Sequence, residues 1–294
     1  MTEPGMGRLG TAYLRALQAI GKRLDRGTNV LDREWDVLVV LDACRVDVLR
    51  SVALETDLIE DVESMRSVGS SSSEWLENTF PGHPETARTM MVTGNTWTDR
   101  YVEADAFAAL DEVWKYAWDE DQGTVPARAV TDRAITMARE RDPHRLVVHY
   151  MQPHHPFVPD PLSADDGMVR NSDHSNPANP WVALRRGEIS SDRVWDAYEA
   201  NLRHVLEEVA ILAENVTGRV AITADHANLF GEWGLYGHPM HLPVPAVLTV
   251  PWAETTGGGR ETYSPKLSPP EPLPVSRVYG AEDDRARLDA LGYR

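Results

Sequence analysis

Cysteine is all but missing from this 294-residue chain: Cys44 stands alone, and one thiol excludes an intrachain disulfide framework. Lysine is nearly as scarce. Lys22, Lys115 and Lys266 are the whole set, so all but three of the 29 basic residues are arginine. Against them stand 46 acidic residues, for a formal net charge of −17, which argues against nucleic acid as a partner. No apolar run approaches the roughly 20 residues of a membrane-spanning helix, and no signal-peptide pattern opens the sequence. The expectation is a cytoplasmic protein. Acid-rich, lysine-poor composition is what a salt-filled cytosol selects, because hydrated carboxylates keep a surface soluble where screening is strong. A halophilic protein is expected on that ground. The length suits one large core, and nothing demands a second.

What is present is an alternation of two patterns. Val37 to Leu41, within "WDVLVVLDACRVDVLR", form a continuous apolar run of the kind that a strand buried on both faces requires. Residues 88–94, 144–151 and 218–225 read the same way, and helical periodicity fills 127–141 and 190–214 between them. Strands alternating with helices predict an α/β fold, a doubly wound and mostly parallel sheet flanked by helices, in a single domain over 31–253. Ahead of it, residues 1–30 hold an amphipathic helix. Its stretch 8–24 sets Arg8, Arg15, Lys22 and Arg23 among apolar residues, which suits packing on the body or peripheral contact with an anionic membrane. Residues 158–189 read as a long surface excursion. The last segment, 254–294, is expected to be a Pro/Gly-rich strap ending in a short helix.

Polar residues gather where the strands stop. Asp42, Asn95, His149 to His155, and Asp225-His226 each follow or end an apolar run, with His238 and His241 just downstream. One aspartate after a strand is an ordinary cap. Four such ends should converge on one edge of one sheet, where α/β folds bind ligands. "SVGSSSSEWLENTF" adds a capping box, Ser71 to Glu74, and the helix it starts would aim free N–H groups at an anion. A hydroxyl at that helix start, beside a metal, would be an activated nucleophile; the alternative is a serine-rich turn and a cap.

These residues carry a resemblance. Asp42-Ala-Cys-Arg45-Val-Asp47 after a buried strand resembles the D-x-x-R-x-D opening of the sulfatase branch of the alkaline phosphatase superfamily. "TADHANLFGEWGLYGHP" resembles that branch's D-H-G-x-x-x-G-E segment with Ala227 in place of glycine, and "MQPHHPF" its P-H-x-P segment. The terminal "LDALGYR" is similar to the way many such chains end, and the whole looks closest to short sulfatase-like proteins of haloarchaea. The resemblance spans roughly residues 35–294. It implies an alkaline phosphatase-like domain in which Asp42, Asp225 and His226 bind a divalent metal, with Ser72 as fourth ligand and nucleophile. Ser70 and Ser71 are the alternatives. Two carboxylates, an imidazole and an alkoxide suit zinc or manganese.

The remaining assignments follow from the same resemblance. Members with two metals use an aspartate and a histidine four residues apart plus a late histidine. Here His149 and His154 lie five apart with no aspartate, and His238 is the late one. One ion is expected, and a second is left open. Either His154 and His238 hold it, or they contact substrate oxygens and protonate the leaving group. His149 and Asn95 fall at substrate-binding positions, Asn95 as a donor to a phosphoryl oxygen or as a turn former. Arg45 and Cys44 read as structural, as do His155 and His241. Neither Cys44 nor Ser72 lies in the C/S-x-P/A-x-R motif that becomes formylglycine, so phosphoester chemistry through an unmodified serine is expected over sulfate-ester cleavage. The expected substrate is a small-molecule, glycan or lipid ester. The expected reaction is its hydrolysis or transfer; a phosphoglycerol-type or glycan-modifying transferase and an inactive anion-binding or partner-binding pseudo-enzyme are the alternatives.

Overall fold

The computed structural model describes residues 6–24, 27–165, 167–168 and 179–270. Nine strands occur among them: β1 (Val37–Leu41), β2 (Glu63–Arg66), β3 (Thr89–Thr93), β4 (Ala109–Glu112), β5 (Arg145–Tyr150), β6 (Arg219–Thr223), β7 (Leu229–Phe230), β8 (Tyr236–Gly237) and β9 (Thr249–Thr256). Eight α-helices accompany them: α1 (Arg8–Gly21), α2 (Val46–Ala53), α3 (Ser72–Thr79), α4 (Thr98–Tyr101), α5 (Ala127–Arg141), α6 (Pro180–Arg185), α7 (Ser191–Asn215) and α8 (Pro245–Leu248). No helix among the described residues is long and apolar enough to cross a membrane.

Seven strands make one sheet in the order β2-β9-β6-β1-β5-β3-β4, and β7 and β8 form a separate hairpin. The pairs from β6 through β1, β5 and β3 to β4 are parallel, whereas β9 runs antiparallel to both β6 and β2. The expected mostly parallel sheet is present. All five residues of β1 are buried, as a strand covered on both faces requires. At about 1.5–3 kcal/mol for each fully buried aliphatic side chain, a charge at Val39 would break this strand first.

Helix α7 shows why a single long helix braces the sheet. Ser190 caps it, its hydroxyl accepting from the Arg193 N–H at 3.2 Å, and Val194, Ala197, Tyr198, Asn201, Leu202, Val205, Val209 and Leu212 turn inward at helical spacing. Helix α1 packs on the body through Leu14 and Leu17, against Leu229, Leu235, Leu242 and Val244.

One sequence boundary shifts, and one expected loop holds a helix. The line drawn at 253/254 falls inside β9, which continues to Thr256 because its backbone pairs with β6 as far as Arg219. The strap then runs from Gly257 across the ends of α5 and α7, with the Lys266 and Leu267 N–H groups both donating to Asp132. The surface excursion at 158–189 contains α6, which buries Trp181. Residues 169–178 of that excursion and the expected terminal helix lie outside the described residues.

Candidate metal centre

The strand order decides the site. β6, β1, β5 and β3 are consecutive parallel neighbours, so their carboxyl ends stand side by side. Asp225 follows β6, Asp42 follows β1, His149 lies near the end of β5, and Asn95 follows β3. His149 is in register with Val40 on one side and Thr93 on the other. Four sequence-distant residues thus reach one point without any loop having to search for it.

Asp42, Asp225 and His226 form the compact group, each fully buried, with one ligand atom apiece inside a 4.8 Å span. Their secondary contacts leave the right atoms over. Asp225 Oδ1 accepts from the N–H groups of Ala43 (3.0 Å) and His226 (2.9 Å), while Oδ2 has no hydrogen-bond partner. His226 Nδ1 lies 3.0 Å from the Ala227 carbonyl oxygen, so the proton is on Nδ1 and the Nε2 lone pair faces the carboxylates. Nε2 is 3.4 Å from Asp225 Oδ2 and 3.7 Å from Asp42 Oδ1. Asp42 Oδ1 and both ring nitrogens of His149 also lack hydrogen-bond partners among the described residues. His149 Nε2 stands 3.5 Å from Asp42 Oδ2 and 3.8 Å from Asp225 Oδ2.

Two buried carboxylates beside two imidazoles, with orphaned atoms aimed inward, are the donor set of a divalent cation. The electrostatics agree. Burial, followed by the Asp42 charge, pushes the Asp225 carboxyl above its ordinary value. Burial would raise Asp42 too, but His149, His154 and His226 outweigh it and hold that carboxyl well below the usual range. One carboxylate of the pair resists ionisation because it is buried beside another negative charge, and a cation would offset that charge. The residues fit a metal.

Ser72 opens α3, and Ser71 is its N-cap, the Ser71 hydroxyl accepting from the Glu74 N–H at 3.4 Å. The other half of the expected capping box is redirected. The Glu74 carboxylate accepts from the Ser70 N–H (3.0 Å), the Ser70 hydroxyl (2.7 Å) and His241, so it ties the helix start to the 239–242 loop. Ser72 Oγ lies 3.2 Å from Asp42 Oδ2 and 3.2 Å from His226 Nε2. Ser71 instead meets Ser73, and Ser70 meets Glu74 and the Pro239 carbonyl. Among the four serines, Ser72 presents its hydroxyl to the compact group.

The remaining candidates stand around this centre. Asn95 Nδ2 donates to Asp42 Oδ2 at 2.8 Å, and Oδ1 accepts from the Trp97 N–H at 2.9 Å, so it is both turn former and site residue. One N–H of its amide is left over. His154 Nδ1 donates to the His155 carbonyl, and its Nε2 meets His238 Nε2 at 3.0 Å. His238 lies outside the compact group, beside His154 as the expected second site would have it; its ring packs on His226, centroids 4.4 Å apart, and its nitrogen turns to His154. Burial, then the neighbouring His155, pushes His154 down to about 4, and burial with His226 and His154 holds His238 well below its usual range. At pH 7 both rings are neutral, offering lone pairs and N–H donors but no imidazolium proton for a leaving group.

The structural readings hold. Arg45 pairs with Asp47 (2.7 Å) and Glu232 (2.8 Å), fastening the start of the D-x-x-R-x-D segment to the G-E segment. Burial keeps the Cys44 thiol protonated. His155 pairs with Asp165 at 2.9 Å, and His241 with Glu74. Ala227 has no left-handed backbone, so its methyl group is accommodated where glycine is usual. Sequence reading missed two positioning residues on α7. Asn201 Nδ2 donates to the carbonyls of Pro153, His154 and Pro156 at 3.0–3.3 Å, and the Tyr198 hydroxyl accepts from the Arg45 N–H and donates to the Ala43 carbonyl. The available signal was a polar side chain on an otherwise apolar helix face.

No protein-family model and no curated protein sequence matches this chain. Solved structures do. The soluble domain of lipooligosaccharide phosphoethanolamine transferase A from Neisseria meningitidis superposes with a TM-score of 0.50 at 14% identity, over 76% of this chain and 76% of that one. The integral membrane form of the same transferase gives a TM-score of 0.52 at 12% identity, over 85% of this chain. The match covers only 55% of that longer protein. On the strand order, the helices flanking the sheet and these superpositions, the chain shares the fold of these transferase domains, an alkaline phosphatase-like fold.

Proposed function

We propose that this chain catalyses metal-dependent cleavage of a phosphate ester through Ser72, with a phosphoseryl intermediate. The observation that carries the reading is the position of Ser72 Oγ, 3.2 Å from both Asp42 Oδ2 and His226 Nε2, at the start of a helix. Asp42, Asp225 and His226 would hold zinc or manganese, with Ser72 as the fourth ligand. The bound cation would lower the hydroxyl's pKa and neutralise charge on the ester oxygens.

The chain's own groups do the rest. Ser72 Oγ releases its proton to water and forms a bond to phosphorus as the P–O bond to the ester oxygen breaks on the opposite side, the departing oxygen taking a proton from water. The N–H groups at the start of α3 and the spare Asn95 N–H stabilise the equatorial oxygens. His154, its Nδ1–H committed to the His155 carbonyl, offers its Nε2 lone pair to the His238 Nε2–H or to a second cation, and His238 can instead donate that N–H to a substrate oxygen. Water or an acceptor hydroxyl then attacks phosphorus and frees Ser72. Both outcomes share every step up to that attack. The named activity of the two neighbours is transfer, so an acceptor hydroxyl on a glycan or lipid is the second reading.

A panel of phosphomonoesters, phosphodiesters and sulfate esters with added zinc or manganese tests the proposal. Phosphoester turnover lost in both Ser72→Ala and Asp225→Asn is expected. Turnover that survives both substitutions, or sulfate-ester cleavage alone, contradicts it.

A further inference from the structure

Exposed apolar surface is unevenly spread over this chain. Among the described residues, six large hydrophobic side chains are exposed: Leu9, Tyr13, Ile20, Leu24, Leu54 and Trp233. Five of them sit together. Four lie on or just after α1, and Trp233 is in the turn that α1 touches, where the Tyr13 hydroxyl donates to the Trp233 carbonyl at 3.3 Å. The same segment differs electrically from the rest. Residues 6–24 contain Arg8, Arg15, Lys22 and Arg23 and no acidic residue, on a chain whose net charge is −17.

At about 100° per residue the helix divides into three sectors. Thr11, Leu14 and Leu17 face the body. Leu9, Tyr13 and Ile20 run along one exposed edge, and Arg8, Arg15 and Lys22, at heptad spacing, run along the other. Ala12, Ala16 and Ala19 fill the strip between and keep it low. A helix laid flat on that strip would sink the apolar edge among acyl chains while the long basic side chains reach the phosphates. Trp233 lies beside it at a left-handed backbone position (φ 55°) between Gly231 and Gly234, and that turn leaves its indole about half exposed. Indole is a favoured side chain at the boundary of a bilayer.

We infer that α1 and the Trp233 turn dock this protein on an anionic lipid surface. Charge and apolar area together select that occupant. Among the described residues, a second copy offers only its own α1 and Trp233 turn as a matching apolar edge, Leu54 being a single exposed side chain, and α1 against α1 would set Arg8, Arg15 and Arg23 against like charges. Nucleic acid would use the charges but not the apolar edge. The docking face is also fastened to the rim of the metal centre. Gln18 Nε2 donates to the Met240 carbonyl at 3.1 Å, and a Cβ added at Gly21 would stand 2.0 Å from the His241 carbonyl oxygen. The loop that carries His238 is therefore in direct contact with α1. The inference stands apart from the chemistry proposed for Ser72.

Co-sedimentation of the full chain with vesicles tests it, using phosphatidylcholine alone and phosphatidylcholine mixed with phosphatidylglycerol. Binding to the mixed vesicles alone is expected at low salt. Arg8→Gln with Arg15→Gln should weaken it roughly 30-fold, at about five-fold for each basic side chain lost. Leu9→Asp with Ile20→Asp should abolish it while leaving Tm and metal content unchanged, since both side chains are exposed. No binding to mixed vesicles, equal binding to both kinds, or full binding by the Leu9/Ile20 variant overturns the inference. A dimer in solution that this variant dissolves, without vesicle binding by the native chain, overturns it as well.

Discussion

Replacing Asp225 by asparagine separates two effects of one carboxylate. The side-chain oxygen that accepts from Ala43 and His226 has an equivalent in asparagine, so the backbone around the site keeps its hydrogen bonds. What changes is the Oδ2 position, 3.4 Å from His226 Nε2 and without a hydrogen-bond partner, where an N–H donor would replace a ligand oxygen. Metal binding should be lost. In the metal-free protein the sign reverses. Burial and the Asp42 charge raise the Asp225 pKa, and a raised acid pKa destabilises the fold as pH climbs through it. Metal-free Asp225→Asn should therefore melt no lower than the metal-free native chain at pH 7. A ligand at about 100 times its Kd adds roughly 2.7 kcal/mol to the native state. With about 2.1 cal/mol/K of unfolding entropy per residue, the 294 residues give roughly 600 cal/mol/K, so the metal should raise Tm by about 4 °C. Thermal melts of chelator-dialysed protein, with and without zinc or manganese, read both effects, and elemental analysis reads the stoichiometry. A metal-dependent rise of similar size in Asp225→Asn, with metal still bound, would refute the reasoning.

The other expectations use different parts of the molecule. Burial would raise Glu74, but hydrogen bonds from His241 and Ser70 outweigh it and hold the carboxyl at about 2 against an ordinary 4.5. A depressed carboxyl stabilises fully above its unfolded pKa and loses that contribution as pH falls toward the folded one, here from about 4.5 to about 2. Urea midpoints should show Glu74→Gln less stable at pH 7 by about 3 kcal/mol, with a smaller gap at pH 3; a gap that widens in acid contradicts the assignment. His154→Ala and His238→Ala distinguish the two uses of the rim: full metal content with reduced turnover marks contacts to substrate, and a halved content marks a second cation.

The central strands and their terminal residues were legible because a strand buried on both faces leaves a continuous apolar run that few other elements produce. Edge strands leave no such trace. β2 reads Glu-Ser-Met-Arg and β4 reads Ala-Leu-Asp-Glu, polar at half their positions or more, and each is paired along one side only. The strap boundary was missed because β9 gains its last residues from pairing with β6, whereas its own sequence, with Pro251 and two final threonines, suggests a loop. Glu74 looked like half of a local capping box, yet its partner His241 is 167 residues away, and no periodicity reports a contact of that span. Asn201 and Tyr198 stood out only as polar side chains on an apolar helix face, and their partners were hidden for the same reason. Their role lies in carbonyls and N–H groups of loops that only the folded sheet brings to α7.

The covalent step offers the most direct test of the account. The chain, loaded with zinc or manganese, would be exposed to an activated phosphoester, quenched in acid and digested with trypsin. Ser72 lies on the peptide 67–88, bounded by Arg66 and Arg88 with no lysine or arginine between. A phosphoryl group localised to Ser72 on that peptide, absent without metal and absent from Ser72→Ala, is the predicted result. Turnover of the ester with no adduct on residues 70–73, or an adduct that persists on this peptide in Ser72→Ala, would contradict it.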